Sequence, residues 1–436
     1  MSVYSQQGVK TRYIQPSSFN QNQVEFKLDN HTSYFSNLRL CGLGDLRVDS
    51  GTYADASGAY GLIRSIYLTS NGKVIDGLRH ANRYLAFSNL LVDNVHSACV
   101  LDREAKTAIG MQVDSTKKRL VKYGNGSNVT GPVATLSNAR GVFGAYLPLH
   151  KVFPVLSELS SIDTDMMPNV SIRIEFEPNA QFTFNSTVTT QTANGSRLEP
   201  VLVADEIRDP AQKEALRNAF QPVVWSSIEN DRVQIDAVTT AIADGAELKQ
   251  DVNVKMLGFN DKYVSRVVFA KAHADLSVVR SGTTNIGYGP YSSPSGFKEV
   301  FQLRLNGANL LAGKGLDNKN SALMLLSDTY GAFSCAPFDN QMSVGAETQQ
   351  NASTRQAGVR GQDAGTNRQG DKIGQMGYIG LSIEDKVSDL QVSYQRTCLA
   401  DTNGRNRTKY AIDLHAFAEV RKSLTVEGGR MMVAYV

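Results

Sequence analysis

The chain has 436 residues, 41% of them hydrophobic and 20% charged, and carries a formal net charge of +3. It is too apolar to be disordered and too long for one ordinary core, so two domains of roughly 200 residues each are expected. Near-neutral charge without a basic stripe argues against sequence-specific nucleic-acid binding, and no run of about 18 apolar residues is present to span a membrane.

Residues 1–20 are mostly polar and carry no period, which predicts an N-terminal arm rather than a secretory signal. A first domain follows over 21–205. Val24, Phe26 and Leu28 alternate, as do Leu38 and Leu40, then Leu46 and Val48, the pattern of half-buried strands. Residues 62–78 (LIRSIYLTSNGKVIDGL) read as two strands around Asn71-Gly72, the strongest short hairpin signal, because a type I′ turn needs positive φ at both central residues. A short helix is expected within 82–92. Residues 147–159 (LPLHKVFPVLSEL) contain two prolines and predict a broken helix in a loop. Val170, Ile172, Ile174 and Phe176 then alternate with Arg173, Glu175 and Glu177 in a clear strand pattern.

Residues 206–222 form a predicted helical connector, with Asp209 as N-cap, Pro210 at the first helical position and helix formers after it. The second domain is expected over 223–436. Val252, Val254 and Met256 alternate; residues 263–269 are another β segment; and residues 299–313 (EVFQLRLNGANLLAG) repeat the earlier hairpin pattern, each copy being followed by a short helix. Aligning Asn306-Gly307 on Asn71-Gly72 sets Phe301 against Ile66, Leu303 against Leu68 and Leu310 against Ile75. Copies half a chain apart are no solenoid, whose period is about 20–50 residues, so they indicate a duplicated domain. Residues 342–372 are dense in Gly, Gln, Asn, Ser and Thr and predict a long polar surface loop. Strands return at 379–383, 390–394 and 412–416. Leu424 and Val426 then face Met431, Val433 and Tyr435 across Gly428-Gly429, which ties the C-terminus into a sheet.

No catalytic, cofactor-binding or metal-binding residue emerges from the sequence. Residues 307–314 (GANLLAGK) have five residues between glycines where a phosphate loop has four, and Gly315 stands where Ser or Thr must hold magnesium. Neither a Gly-x-Ser-x-Gly elbow nor an HExxH pair occurs. Asp163-Thr164-Asp165 begins like a calcium loop, but Met167 and Pro168 occupy positions needing a ligand and a glycine, which leaves a polar turn. Glu175 and Glu177 share one side of a strand, where paired carboxylates can serve a glycosidase but more commonly form a wet face. His80 and His150 lie beside helical stretches and suit packing or surface roles. A single tryptophan, Trp225, argues against a sugar-binding groove. Cys41, Cys99, Cys335 and Cys398 lie far apart with no CxxC, the pattern of free thiols in a reducing compartment. The Asn-x-Ser/Thr triplets at 128–130 and 194–196 read as chance in so polar a chain.

The paired 62–78 and 299–313 segments, the 147–159 loop helix leading into NVSIRIEFEP, and the ending AIDLHAFAEVRKSLTVEGGRMMVAYV together resemble one family. It is that of the double jelly-roll major capsid proteins of icosahedral double-stranded DNA viruses, in the adenovirus-type lineage and among its smaller members such as virophages and Polinton-like viruses. The resemblance implies an all-β chain of two consecutive eight-stranded jelly rolls with short inserted helices. It implies a homotrimer that imitates a hexagon, located in the virion shell beside neighbouring capsomers, penton and minor capsid proteins, with no enzymatic activity and no cofactor. Only 342–372 and 282–296 could form outer projections, so these should be low. Two rival readings are a receptor- or carbohydrate-binding β-sandwich, which would favour exposed aromatic clusters or calcium loops, and a β-sandwich glycosidase or amidase, which needs convergent carboxylates.

Overall fold

The computed structural model describes residues 8–28, 33–41, 63–88, 111–114, 119–122, 146–159, 161–177, 199–243, 246–274, 299–317, 319–331, 378–399, 411–427 and 430–436. The polar stretch 342–372, the segment 282–296, Leu46, Val48, Cys99, Cys335 and both Asn-x-Ser/Thr triplets lie outside these residues.

The first lobe contains β1 (Val9–Ile14), β2 (Ser18–Phe19), β3 (Gln23–Lys27), β4 (Tyr34–Cys41), β5 (Ile63–Ser70), β6 (Lys73–Arg79) and α1 (Ala81–Ser88). The hairpin β7 (Met111–Asp114) and β8 (Arg119–Lys122) stands apart. Then come β9 (Tyr146–Pro148), a 3-10 turn at Leu149–Lys151, α2 (Val155–Glu158), β10 (Ile162–Asp163), β11 (Ser171–Phe176) and β12 (Val201–Ile207). Helix α3 (Pro210–Asn218) leads to the second lobe: β13 (Val223–Ile235), β14 (Glu247–Lys255), β15 (Lys262–His273), β16 (Glu299–Leu305), β17 (Ala308–Asn309), α4 (Lys319–Tyr330), β18 (Tyr378–Val387), β19 (Leu390–Leu399), β20 (Ile412–Glu427) and β21 (Arg430–Tyr435).

The two lobes share one topology. In the first, the sheets run β1-β12-β4-β10 and β3-β11-β5-β6; in the second, β13-β20-β15-β18 and β14-β19-β16-β17. Counting the eight principal strands of each lobe in chain order, both read 1-8-3-6 in one sheet and 2-7-4-5 in the other, and every pairing is antiparallel. That order is the jelly roll. A helix follows the fifth strand in each lobe, α1 after β6 and α4 after β17.

Local chemistry dictates these elements. Asn71 and Gly72 have φ of 48° and 74°, and Asn306 and Gly307 have 49° and 86°, so both Asn-Gly pairs make the left-handed turns that match strand twist. Ile66, Leu68, Phe301 and Leu303 are fully buried, as the aligned repeat requires. Ile75 and Leu310 part company: Ile75 is buried, whereas Leu310 is 38% exposed and Leu311 turns inward instead. The two-residue β17 ends too early to hold the long-hairpin register. Residues 147–159 break at Pro148 and Pro154 into a strand end, the 3-10 turn and the single turn α2. The Asp209 side chain accepts a hydrogen bond from the Ala211 amide and caps α3, with Pro210 at its first position.

Pairing also extends the first lobe past the limits set by composition. Val9–Ile14 lies along Ile207–Leu202 over six residue pairs, and Ser18–Phe19 pairs with β3. Residues 1–20 thus include two strands. β1 is an edge strand held by its backbone, and neither of its faces is fully buried, so no apolar alternation marks it. At the other limit, β12 runs through Ile207, so α3 rather than residue 206 opens the connector.

Two apolar clusters form the interior. One fills the second sandwich, from Ile235, Phe259 and Phe269 to Phe301, Tyr394 and Leu414. The other fills the first sandwich and continues without a break into Trp225, Ile228, Val268, Phe417 and Leu424 of the second lobe.

Candidate functional site at the seam between the lobes

The sheet β13-β20-β15-β18 is covered on both faces. On β20, Leu414, Ala416, Ala418 and Val420 point into the second sandwich, while His415 and Phe417, on the opposite face, meet the first lobe. β15 divides likewise, with Val267 and Phe269 inward and Val268 and Ala270 at the seam. One alternation set of β20, Ile412, Leu414, Ala416, Ala418 and Val420, is wholly apolar, whereas the seam-facing set, Asp413, His415, Phe417 and Glu419, is mostly polar and still has Asp413 and His415 buried.

Helix α1 supplies the aromatic side of this seam. Tyr84 packs on Phe417 at 5.5 Å between ring centroids, and Phe87 lies edge-on to Tyr330 at 5.1 Å and tilted against Tyr378 at 5.3 Å. His80, just before α1, meets His415 at 4.7 Å in an edge-to-face pair, and His415 stacks on Phe417. Offset and edge contacts of this kind add to the area they bury.

A buried polar network crosses the same seam. The Ser227 hydroxyl donates to Asp76 Oδ1 at 2.6 Å, and Asp76 also accepts from the Gly77 amide at 3.0 Å and the Val155 amide at 3.3 Å. Lys422 Nζ donates to Ser227 Oγ at 3.1 Å and pairs with Glu229 at 2.9 Å, which Lys262 also holds at 2.6 Å. Burial pushes the Asp76 carboxyl up, against the pull of Ser227 and Lys422. Burial pushes Glu229 up as well, but Lys422 and Lys262 outweigh it and hold its carboxyl below the usual range. Asp76, Ser227 and Lys422 are each less than 10% exposed, so the Ser–Lys contact has no open face for a substrate. It is a joint.

The residues singled out in the sequence are scattered. Asp163 and Asp165 both bind the Arg217 guanidinium, at 3.2 and 2.8 Å, and so dock α3 onto the first lobe, with the guanidinium over the Tyr34 ring. A cleft of about 180 Å³ opens there, lined by Tyr34, Glu158, Asp163, Arg217, Phe220 and Met431. Glu175 pairs with Arg173 on the outer face of β11. Glu177 does not share that wet face: it is 7% exposed and accepts from Asn82 Nδ2 at 2.8 Å, because the chain turns inward beyond Phe176 toward α1. His150 is exposed, and Gly307 and Gly313 sit in turns with positive φ. Burial pushes the Cys41 and Cys398 thiols up. Among the described residues, no group of three or more His, Cys, Asp or Glu is placed to hold a metal ion, and no helix is long and apolar enough to cross a membrane.

His415, Asp76, Ser227 and Lys422 carry the seam, and the sequence reading passed over all four. Asp76 and Ser227 lie 151 positions apart, so no spacing could pair them.

No family model matches the chain, and no curated protein matches it. Solved structures do. The mavirus major capsid protein is 10% identical, with 100% of this chain and 91% of that one covered and a TM-score of 0.55. A chain from the structure of the Sputnik virophage is 12% identical, with 100% and 90% covered and a TM-score of 0.51. At such identities the likeness is one of fold, and it agrees with the strand order: the chain is a double jelly roll.

Proposed function

We propose that this chain is a structural major capsid protein. Three copies associate into a pseudo-hexagonal capsomer that tiles an icosahedral shell in the virion, in contact with neighbouring capsomers, penton and minor capsid proteins. The observation that carries this reading is the repetition of one jelly-roll topology in two lobes fused across a buried seam. Three such chains present six similar lobes around a threefold axis, which is what a flat hexagonal lattice needs from a closed trimer. The mavirus relationship supports it, because that protein has the same fold and is by name a major capsid protein. The chain acts by assembly and performs no catalysis. A net charge of +3 over 436 residues suits dense packing of many copies. Helix α3 joins the two jelly rolls, and residues 1–7, ahead of β1, serve as an arm that tethers neighbouring capsomers.

The decisive experiment is size-exclusion chromatography with light scattering, followed by negative-stain imaging. A stable trimer with a hexagonal outline is expected, each subunit interface burying about 2,000–5,000 Å². A monomer at micromolar concentration would count against the assembly.

A further inference from the structure

We propose that the seam between the lobes is an acid-sensitive joint, in which His80 and His415 pack together as neutral imidazoles that the closed seam cannot charge. The geometry sets the conflict. His80 and His415 come from different lobes and meet at 4.7 Å between ring centroids. His415 is fully buried, and neither of its ring nitrogens has a hydrogen-bond partner among the described residues. Two imidazolium ions at that separation would repel each other where little water can screen them.

The neighbours make matters worse. Arg83 of α1 and Arg232 of β13 act on both rings, and Arg64 of β5 and Arg79 of β6 act on His80. Nearby carboxylates are already committed: Asp413 of β20 pairs with Arg232 at 3.0 Å, Glu419 of β20 with Arg266 of β15 at 2.8 Å, and Glu177 takes the Asn82 amide. Phe417 of β20 stacks on His415 and is itself covered by Tyr84 of α1, and neither ring brings a negative charge. Burial, followed by these arginines, holds His80 down to about 3, and burial with Arg83 and His80 holds His415 well below its ordinary value.

The sign follows from linkage. The opened seam takes up protons below the ordinary histidine value near 6.5, while the closed seam refuses them until far lower pH. Closure is therefore fully favoured above about pH 6.5 and weakens as pH falls toward the folded value of His80. Between pH 8 and 5, each histidine raises the opening equilibrium about thirtyfold, and the two together about a thousandfold.

Trp225 makes this measurable, since it is the sole tryptophan and is buried at the seam. Urea unfolding of the full chain, followed by Trp225 fluorescence at pH 8 and 5, is compared between the wild type and the His80→Phe/His415→Phe double variant. The wild type is expected to lose about a thousandfold more in folding equilibrium than the variant over that range. Equal pH dependence in the two proteins overturns the proposal. Should the double variant fail to fold, histidine ring-proton titration of the wild type decides instead: both imidazoles staying neutral at pH 5 supports the joint, and either one charging above pH 6 in the folded chain overturns it. Neither readout depends on assembly, so a failure here leaves the capsid reading standing.

Discussion

Lys271 and Glu299 form an ion pair inside the second sandwich, 2% and 0% exposed, with Nζ at 2.5 and 2.6 Å from the two carboxylate oxygens. The Tyr394 hydroxyl donates to Glu299 Oε2 at 2.6 Å, so the cluster ties β15 of one sheet to β16 and β19 of the other. Burial pulls Lys271 below its ordinary range despite Glu299, a sign that the pair costs desolvation as well as gaining attraction. Removing one partner is therefore far worse than removing the charge of both. Lys271→Met should lower stability by about 3–5 kcal/mol, because it strands a buried carboxylate, and adding Glu299→Gln should recover most of that loss. Urea midpoints of the two variants check this, and equal midpoints would refute it. Nothing in the sequence joined these residues: 28 positions and a change of sheet separate them, and each reads alone as an ordinary surface charge. The Asn-Gly turns were legible at the same scale, since two adjacent residues decide a turn.

Elements were legible where one face is buried and the other wet. Val24 and Phe26 of β3, and Ile172 and Ile174 of β11, are fully buried, as their alternation demands. β1 was not legible because it gains its place from six backbone pairings with β12 rather than from an apolar face. This difference can be tested by truncation. Deleting residues 1–20 removes β1 and β2 and bares the β12 edge, where Val203, Ala204, Glu206 and Ile207 are buried. That protein should melt well below the full chain and aggregate. Starting the chain at Gly8 keeps both strands, so its melting temperature and trimers should be unchanged while shell assembly fails. If both truncations melt like the full chain, β1 adds nothing to the lobe. If the shorter truncation still builds normal shells, the tether falls.

At the scale of the whole molecule, the seam decides whether the two jelly rolls behave as two bodies or one. Interfaces between domains of one chain are commonly small and polar and permit relative motion. Here the first lobe's apolar cluster runs directly into Trp225, Val268, Phe417 and Leu424 of the second, and Asp76, Ser227 and Lys422 bridge the same boundary with their hydrogen bonds satisfied. A break at this boundary would expose aromatic surface on α1 and β20 together and leave Asp76 without Ser227, so opening the seam costs nearly as much as losing a core. The lobes should therefore unfold together at neutral pH. Far-ultraviolet circular dichroism, which reports both sandwiches, and Trp225 fluorescence, which reports the seam, should give one superimposable urea transition at pH 8. A fluorescence change that precedes the loss of β signal at that pH would mean that the lobes separate first. Near pH 5 the order should change, with the Trp225 signal moving ahead of the circular dichroism, because the opened seam then takes up protons on His80 and His415 that the closed seam refuses.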